Sequence, residues 1–505
     1  MRTLLERLDS LGDRLSPIVI KEVRQFVRSR EFLASFATSL VVALLIAFMG
    51  SSQAVTGSRI AGVSTFSTLT VCLGLLGLVV VPLGAFTTLR TERLEQTLDL
   101  ISLTTMSPRR IVVGKLGAQG VKLVTFFAVM MPFVATSFLL GGIDFVTILV
   151  SMLAVFLASM WVAAAALFIS TMFQSRLMSG IALAVIAFVL FVLYMVSRTL
   201  ILMLRYGVPF VGLRVAYASA GQWVQFAAMI VFCVTTMANL VLLAESRLTL
   251  PTENRVSALR VGLFVQFLLI VVWALGSARL PIAVRPSTFD DFVFFGGLHL
   301  AAVAAFAVTE GLTGQNPRVA SPAWLRRWSW LFPVFGPGSG RAALYMLLQM
   351  AVFIATGAAI TMDGPEVTRL FALCGAICLL SGVPTLVVHR FADRGLGPLH
   401  ARGLLLVLLL LSLVLPDIVY YLVWRPEAFT LTFDARHLFS PVLPIFNWDE
   451  VSPNVARELA PIAWAVLGVV SYLGIIAMSR DDGPQVQPAS PGLALEGVIG
   501  DGDSR

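Results

Sequence analysis

The sequence predicts an all-α polytopic membrane protein of about twelve transmembrane helices. Three observations carry this prediction. The chain has 505 residues, of which 58% are hydrophobic and only 13% charged, with a mean hydropathy of +0.90. A soluble domain is nearer 45–50% apolar and about 25% charged, and a fold of this length could not hide the excess. The apolar residues also lie in long runs, and a bilayer core of about 30 Å takes about 20 helical residues. Finally, Lys and Arg concentrate in alternate loops between those runs, which is how charge sets orientation in a membrane.

Hydropathy places spans at Phe32–Met49, Phe66–Leu89, Leu116–Leu140, Phe145–Ser170, Gly180–Met203 and Gln222–Leu243. A second set follows at Val261–Leu280, Asp291–Val308, Ala343–Ile360, Leu370–Val388, Gly403–Trp424 and Ile462–Met478. Backbone groups cannot be left unbonded in lipid, so such segments are helices. The expected organisation is a cytoplasmic N-terminus (1–31), a six-span domain (32–243), a cytoplasmic linker (244–260), a second six-span domain (261–478) and a disordered tail (479–505). The first apolar run follows a long charged segment and is long enough to span, so the expectation is insertion without cleavage of a leader.

With the N-terminus inside, the inner segments collect Lys21, Arg24, Arg28, Arg90, Arg109, Arg110, Lys115, Arg176, Arg247, Arg255, Arg318, Arg341 and Arg390. Outer loops of the second half collect Asp363, Glu366, Glu427, Asp434, Asp449 and Glu450. An even number of spans returns the C-terminus to the cytoplasm. The net charge of +8 is therefore read as topology, and no compact basic domain suggests nucleic acid.

Two segments stand outside the spans. In Ser16–Arg30, Pro17 fits a first helical position, with Val19, Val23, Phe26 and Val27 on one face and Lys21, Arg24 and Arg28 mostly on the other. This pattern predicts a short basic amphipathic helix in the inner interface. In Thr91–Lys115, Thr91 can cap a helix, Glu92 and Glu95 suit its first turns, and Leu94, Leu98 and Ile101 form an apolar stripe. Ser107-Pro108 starts a further helix held at the surface by Arg109 and Arg110. A stripe projecting into the cytoplasm is covered either by the membrane or by a partner protein.

Glu92-Arg93-Leu94-Glu95-Gln96-Thr97-Leu98-Asp99-Leu100, followed by Leu103-Thr104-Thr105-Met106-Ser107-Pro108, resembles the coupling helix between spans two and three of type-2 ABC transporter permeases. That family reads roughly E-R-E-x-G-T-L-E-L-L-L-x-T-P-L-S-P there; Gln96, Asp99 and Thr105 depart from it. Lys21-Glu22 followed by Arg24, Phe26 and Arg28 is similar to the family's interfacial elbow helix. The resemblance covers roughly residues 16–243. It implies an exporter-like permease in the inner membrane that couples to a separate ATP-binding subunit through Glu92, Arg93, Leu94, Glu95, Thr97, Leu98, Asp99, Ile101, Ser107 and Pro108. It further implies a homodimer or a second permease as partner, with ATP and magnesium held by the ATPase subunit and no cofactor in this chain.

The sequence has no G-x-x-x-x-G-K-[ST], HExxH, Cys-x-x-Cys or GxSxG, so the expectation is that it is not itself an enzyme. Cys72, Cys233, Cys374 and Cys378 all lie in apolar runs and read as packing residues, and no metal site is expected. His299 reads as a buried, hydrogen-bonded histidine, Lys122 as a residue reaching the inner surface, and Asp417 as interfacial. An ion-coupled secondary transporter suits twelve spans but not the scarcity of midplane charge. A membrane enzyme acting on lipid or glycan would use the outer loop 425–461, which offers acids without catalytic spacing. A membrane scaffold driven mechanically by ABC machinery is a third alternative. The second six spans read as a degenerate parallel repeat of the first, because Thr91-Glu92 and Thr309-Glu310 follow the second span of each half.

Overall fold

The computed structural model describes residues 17–55, 61–94, 107–141, 143–172, 220–249, 256–279, 288–308, 331–336, 338–361, 364–391 and 455–481, with isolated residues at 254, 327, 404 and 407. Helices account for nearly all of them, and no strand occurs among the described residues. The first elements are α1 (Pro17–Arg28), α2 (Arg30–Val55), α3 (Ala61–Leu75), the π-helical turn π1 (Leu76–Val80) and α4 (Val81–Leu94). Next come α5 (Pro108–Leu139), α6 (Phe145–Ser170), α7 (Ala220–Leu248), α8 (Ser257–Ala278) and α9 (Thr288–Ala302), which runs into π2 (Val303–Val308). The last are α10 (Phe332–Phe335), α11 (Ser339–Thr361), α12 (Gly364–Arg390) and α13 (Val455–Asp481).

Among the described residues, nine helices are long and apolar enough to cross a membrane. They coincide with nine of the expected spans, and the twelfth, Ile462–Met478, lies inside α13. The expected spans Gly180–Met203 and Gly403–Trp424 fall outside the described residues, apart from Leu404 and Val407, as does Asp417. The chain is thus an all-α multi-pass membrane protein. Its helices expose large apolar side chains, including Leu44, Phe48, Val124, Leu149, Val272, Leu298 and Val470, as lipid-facing surfaces do.

The chain forms two compact units, Met1–Ala302 with Ala351–Leu370, and Val303–Met350 with Phe371–Arg505. In the first, α3 and α4 pack against α5 and α6, and α7 packs against both α6 and α8. The continuous apolar helix Ala61–Glu92 and helix α5 each have 32 residues, or about 48 Å at 1.5 Å per residue. That exceeds the bilayer core of about 30 Å, so both project beyond it. They run antiparallel. At one end Gly62 lies so close to the carbonyls of Ser137 and Gly141 that a Cβ there would collide with them. Gly141, at φ +81°, makes the turn after α5 that leads toward α6. Asp144 caps α6, its Oδ2 accepting from the Thr147 amide at 2.9 Å.

In the second unit, α12 and α13 approach to backbone contact. A Cβ on Gly375 would strike the Ala465 backbone, and one on Gly468 would strike Cys378. Small residues at such crossings let helices pack closely in lipid. Ser381 Oγ and Tyr472 Oη hydrogen-bond at 2.8 Å across this interface. Cys378 donates to Met350 Sδ at 3.2 Å, and both Cys374 and Cys378 are buried.

Candidate functional site: a buried ion cluster beside the coupling segment

Three elements converge where α4 and α5 emerge from the apolar layer. Helix α1 packs along the start of α5, with Val19 against Gly117. Phe26 lies 6.3 Å from the Phe126 ring and 4.7 Å from Phe32, both measured between centroids. The face of α5 that receives α1 contains Lys115, Gln119, Lys122 and Phe126, all buried and spaced by helical turns. Lys122 does not reach the surface as expected. It is 8% exposed, with its ammonium 4.7 Å from the Phe26 ring centroid, a cation–π contact beneath α1.

Lys115 is the centre of the site. Its Nζ lies 2.9 Å from Glu22 Oε1 on α1 and 2.8 Å from Glu92 Oε2 on α4. Its side chain is 2% exposed, against 7% for Glu22 and 16% for Glu92. Lys21 Nζ approaches Glu92 Oε1 at 3.7 Å from the outside, and its side chain is 57% exposed. Two carboxylates therefore share one buried ammonium, with a second, solvated one at the edge. Buried charges persist only when paired, and here each has a partner of opposite sign. The cluster ties a helix near the N-terminus to α4 and α5, with Lys115 93 residues from Glu22 in sequence.

Helix α4 differs from the expectation in one respect. Thr91 does not cap a new helix: α4 continues through it to Leu94, and Thr91 Oγ1 donates to the Thr87 carbonyl at 2.9 Å. Glu92 therefore lies within α4 rather than in the first turn of a new helix, and its carboxylate pairs with the ammonium of Lys115. Arg93 and Leu94 extend α4, and Glu95, Thr97, Leu98, Asp99 and Ile101 lie outside the described residues. Ser107 precedes α5 in extended conformation, with Pro108 in its first turn as expected. Of the expected interfacial residues, Glu22 is buried, Phe26 half-buried, and Lys21, Arg24 and Arg28 exposed; Val27 is 53% exposed rather than sharing the buried face.

A second polar group lies deep among α7, α8 and α9. Asn239 Nδ2 donates to Gln266 Oε1 at 2.8 Å, and Gln266 Nε2 donates to Thr236 Oγ1 at 2.6 Å. His299 Nδ1 lies 3.3 Å from the same Gln266 Oε1, which it meets as a hydrogen-bond donor in the tautomer protonated at Nδ1. His299 is 1% exposed and stacks on Phe267 at 5.5 Å. The expected buried histidine is thus in place, with a partner that its own sequence context did not reveal. At the N-terminal ends of α7, α9 and α12, Gln225 donates to Asp291 Oδ2 and Arg369 pairs with Asp290 Oδ1, each at 2.8 Å.

Among the described residues, no three His, Cys, Asp or Glu side chains gather as metal ligands. What the Lys115 cluster can do is transmit position: displacement of Glu92 is felt by Lys115 and, through it, by α1. Glu22 and Lys115 were legible in part, since Glu22 shares a face with Phe26 four residues later, and Lys115, Gln119 and Lys122 interrupt an otherwise apolar stripe. No family model, curated protein or solved structure matches the chain.

Proposed function

We propose that the chain is the membrane-spanning subunit of an ATP-driven transporter of the type-2 ABC class, moving an unidentified substrate, in the exporter manner, with ATP and magnesium held by a separate ATP-binding subunit. The observation that supports this reading best is the ion cluster of Glu22, Lys115 and Glu92. Glu92 opens Glu92–Pro108, the segment that resembles a coupling helix, and the cluster joins it to both α1 and α5. A force applied to the segment by a partner would pass to two long helices at once. In this reading α1 is the elbow helix, Thr91–Lys115 the coupling segment, and the chain lies in the inner membrane with twelve spans and both termini cytoplasmic. It works as a homodimer, with a second permease, or as one chain providing both halves.

The test is assembly and coupling. Leu98→Asp places a charge in the apolar stripe that would dock on the partner, where an unpaired charge is costly to bury. The expected result is loss of the P-loop-containing subunit on purification, or a complex whose ATP hydrolysis no longer drives transport in proteoliposomes. A Leu98→Asp complex that assembles and transports normally would sink the reading, as would uptake driven by an ion gradient without ATP.

A further inference from the structure

We infer that the outward face of α1 is a binding surface for anionic phospholipid headgroups of the leaflet in which it lies. At about 100° per residue, α1 divides into three sectors. Val19, Glu22 and Phe26 turn toward α5. Lys21, Arg24 and Arg28 fall within an arc of about 60° on the opposite side, and all three are exposed. Ile20 and Val27 share a third sector beside that arc, and they are 37% and 53% exposed.

This arrangement separates a lipid surface from other occupants. A face meeting only water has no use for an exposed isoleucine and valine about two turns from each other along the rim of a basic stripe. An acidic protein segment would satisfy the bases and leave the aliphatic pair uncovered. A headgroup layer does both, because phosphates meet the cations while the aliphatic sector enters the acyl boundary. The position agrees: α1 ends at Arg28, and the first apolar span begins at Phe32, so α1 is within a turn of the bilayer edge. Lys21 also reaches to 3.7 Å from Glu92. A phosphate drawn to the basic arc therefore competes for Lys21, leaving Glu92 to Lys115 alone. The lipid surface and the ion cluster share one residue, which makes the cluster sensitive to the charge of the leaflet. The inference concerns α1 alone and stands apart from the transport reading.

The test uses the full chain, solubilised in neutral detergent and offered equal amounts of phosphatidylglycerol and phosphatidylcholine. Retained lipid is counted by native mass spectrometry at two salt concentrations. The expected result is a preference for phosphatidylglycerol that weakens with salt and falls about fivefold for each charge removed in Arg24→Gln and Arg28→Gln. Lys21 is left intact so that the ion cluster is undisturbed. Arg24→Lys with Arg28→Lys should keep the preference, since it depends on charge. Arg327→Gln with Arg390→Gln removes two exposed charges elsewhere and should leave it unchanged. No preference in the natural chain, or equal losses in both glutamine pairs, would overturn the inference. Acidic protein retained in place of lipid on the same arc would overturn it as well.

Discussion

Replacing Lys115 by methionine tests the ion cluster most sharply. Methionine keeps the length of the side chain and most of its packing, but it leaves Glu22 and Glu92 facing one another beside α5, with Lys21 at 3.7 Å from Glu92. Breaking a buried pair by removing one partner costs about 3–5 kcal/mol, because the remaining charge is uncompensated. Glu22 is the more buried of the two acids and carries most of that cost; the half-solvated pair of Lys21 with Glu92 contributes little. Removing all three charges together, in Glu22→Gln with Glu92→Gln and Lys115→Met, should recover most of the loss, since a buried ion pair replaced by neutral groups is often nearly neutral. The assay is unfolding of the detergent-solubilised chain, followed by circular dichroism, for the single variants, the pairs and the triple variant. The triple variant should be more stable than Lys115→Met alone by at least about 2 kcal/mol. A Lys115→Met chain as stable as the natural one would refute the reasoning, as would a triple variant whose loss equals the sum of the single losses.

Gln119 is fully buried in α5, and neither atom of its amide finds a partner among the described residues, so Gln119→Leu should raise stability by about 1–3 kcal/mol in the same assay. Gln266→Leu removes the residue shared by Asn239, Thr236 and His299; it should cost about 0.6–2 kcal/mol and broaden the His299 imidazole resonance in NMR spectra. Gly468→Val should separate α12 from α13 and prevent a stable fold, read as loss of monodispersity on size-exclusion chromatography, because its side chain would strike Cys378 and the Gly375 carbonyl. Reporter fusions after Arg255 and after Glu450 should lie on opposite sides of the membrane; same-side results would refute the charge-based topology.

The membrane architecture was legible because its cause is local. A run such as Phe145–Ser170 contains no charge, so lipid dictates a helix and its length together. Ser107-Pro108 marked the start of α5 for the same kind of reason, proline having no amide hydrogen to lose there. The ion cluster was less legible because its members are distant in sequence: Glu22 reads as one more polar residue on a basic helix until α5 is laid against it. Thr91-Glu92 misled for a related reason. The pair has the form of a helix start, yet the apolar packing of α4 on α6 and the ammonium of Lys115 carry the helix through it. The π-helical turns at Leu76–Val80 and Val303–Val308 had no signal in the hydropathy pattern, which responds to composition and not to one extra residue in a turn. Both turns lie in the second span of the halves expected from the sequence.

Docking of Glu92–Pro108 on an ATP-binding subunit is tested most directly by a photo-crosslinking amino acid placed at Leu98. With the chain in its own membrane, the expected product is one crosslinked protein that carries a P-loop, with a yield that changes when ATP hydrolysis is arrested by vanadate. Crosslinks to lipid alone, or to a protein without a P-loop, would contradict it.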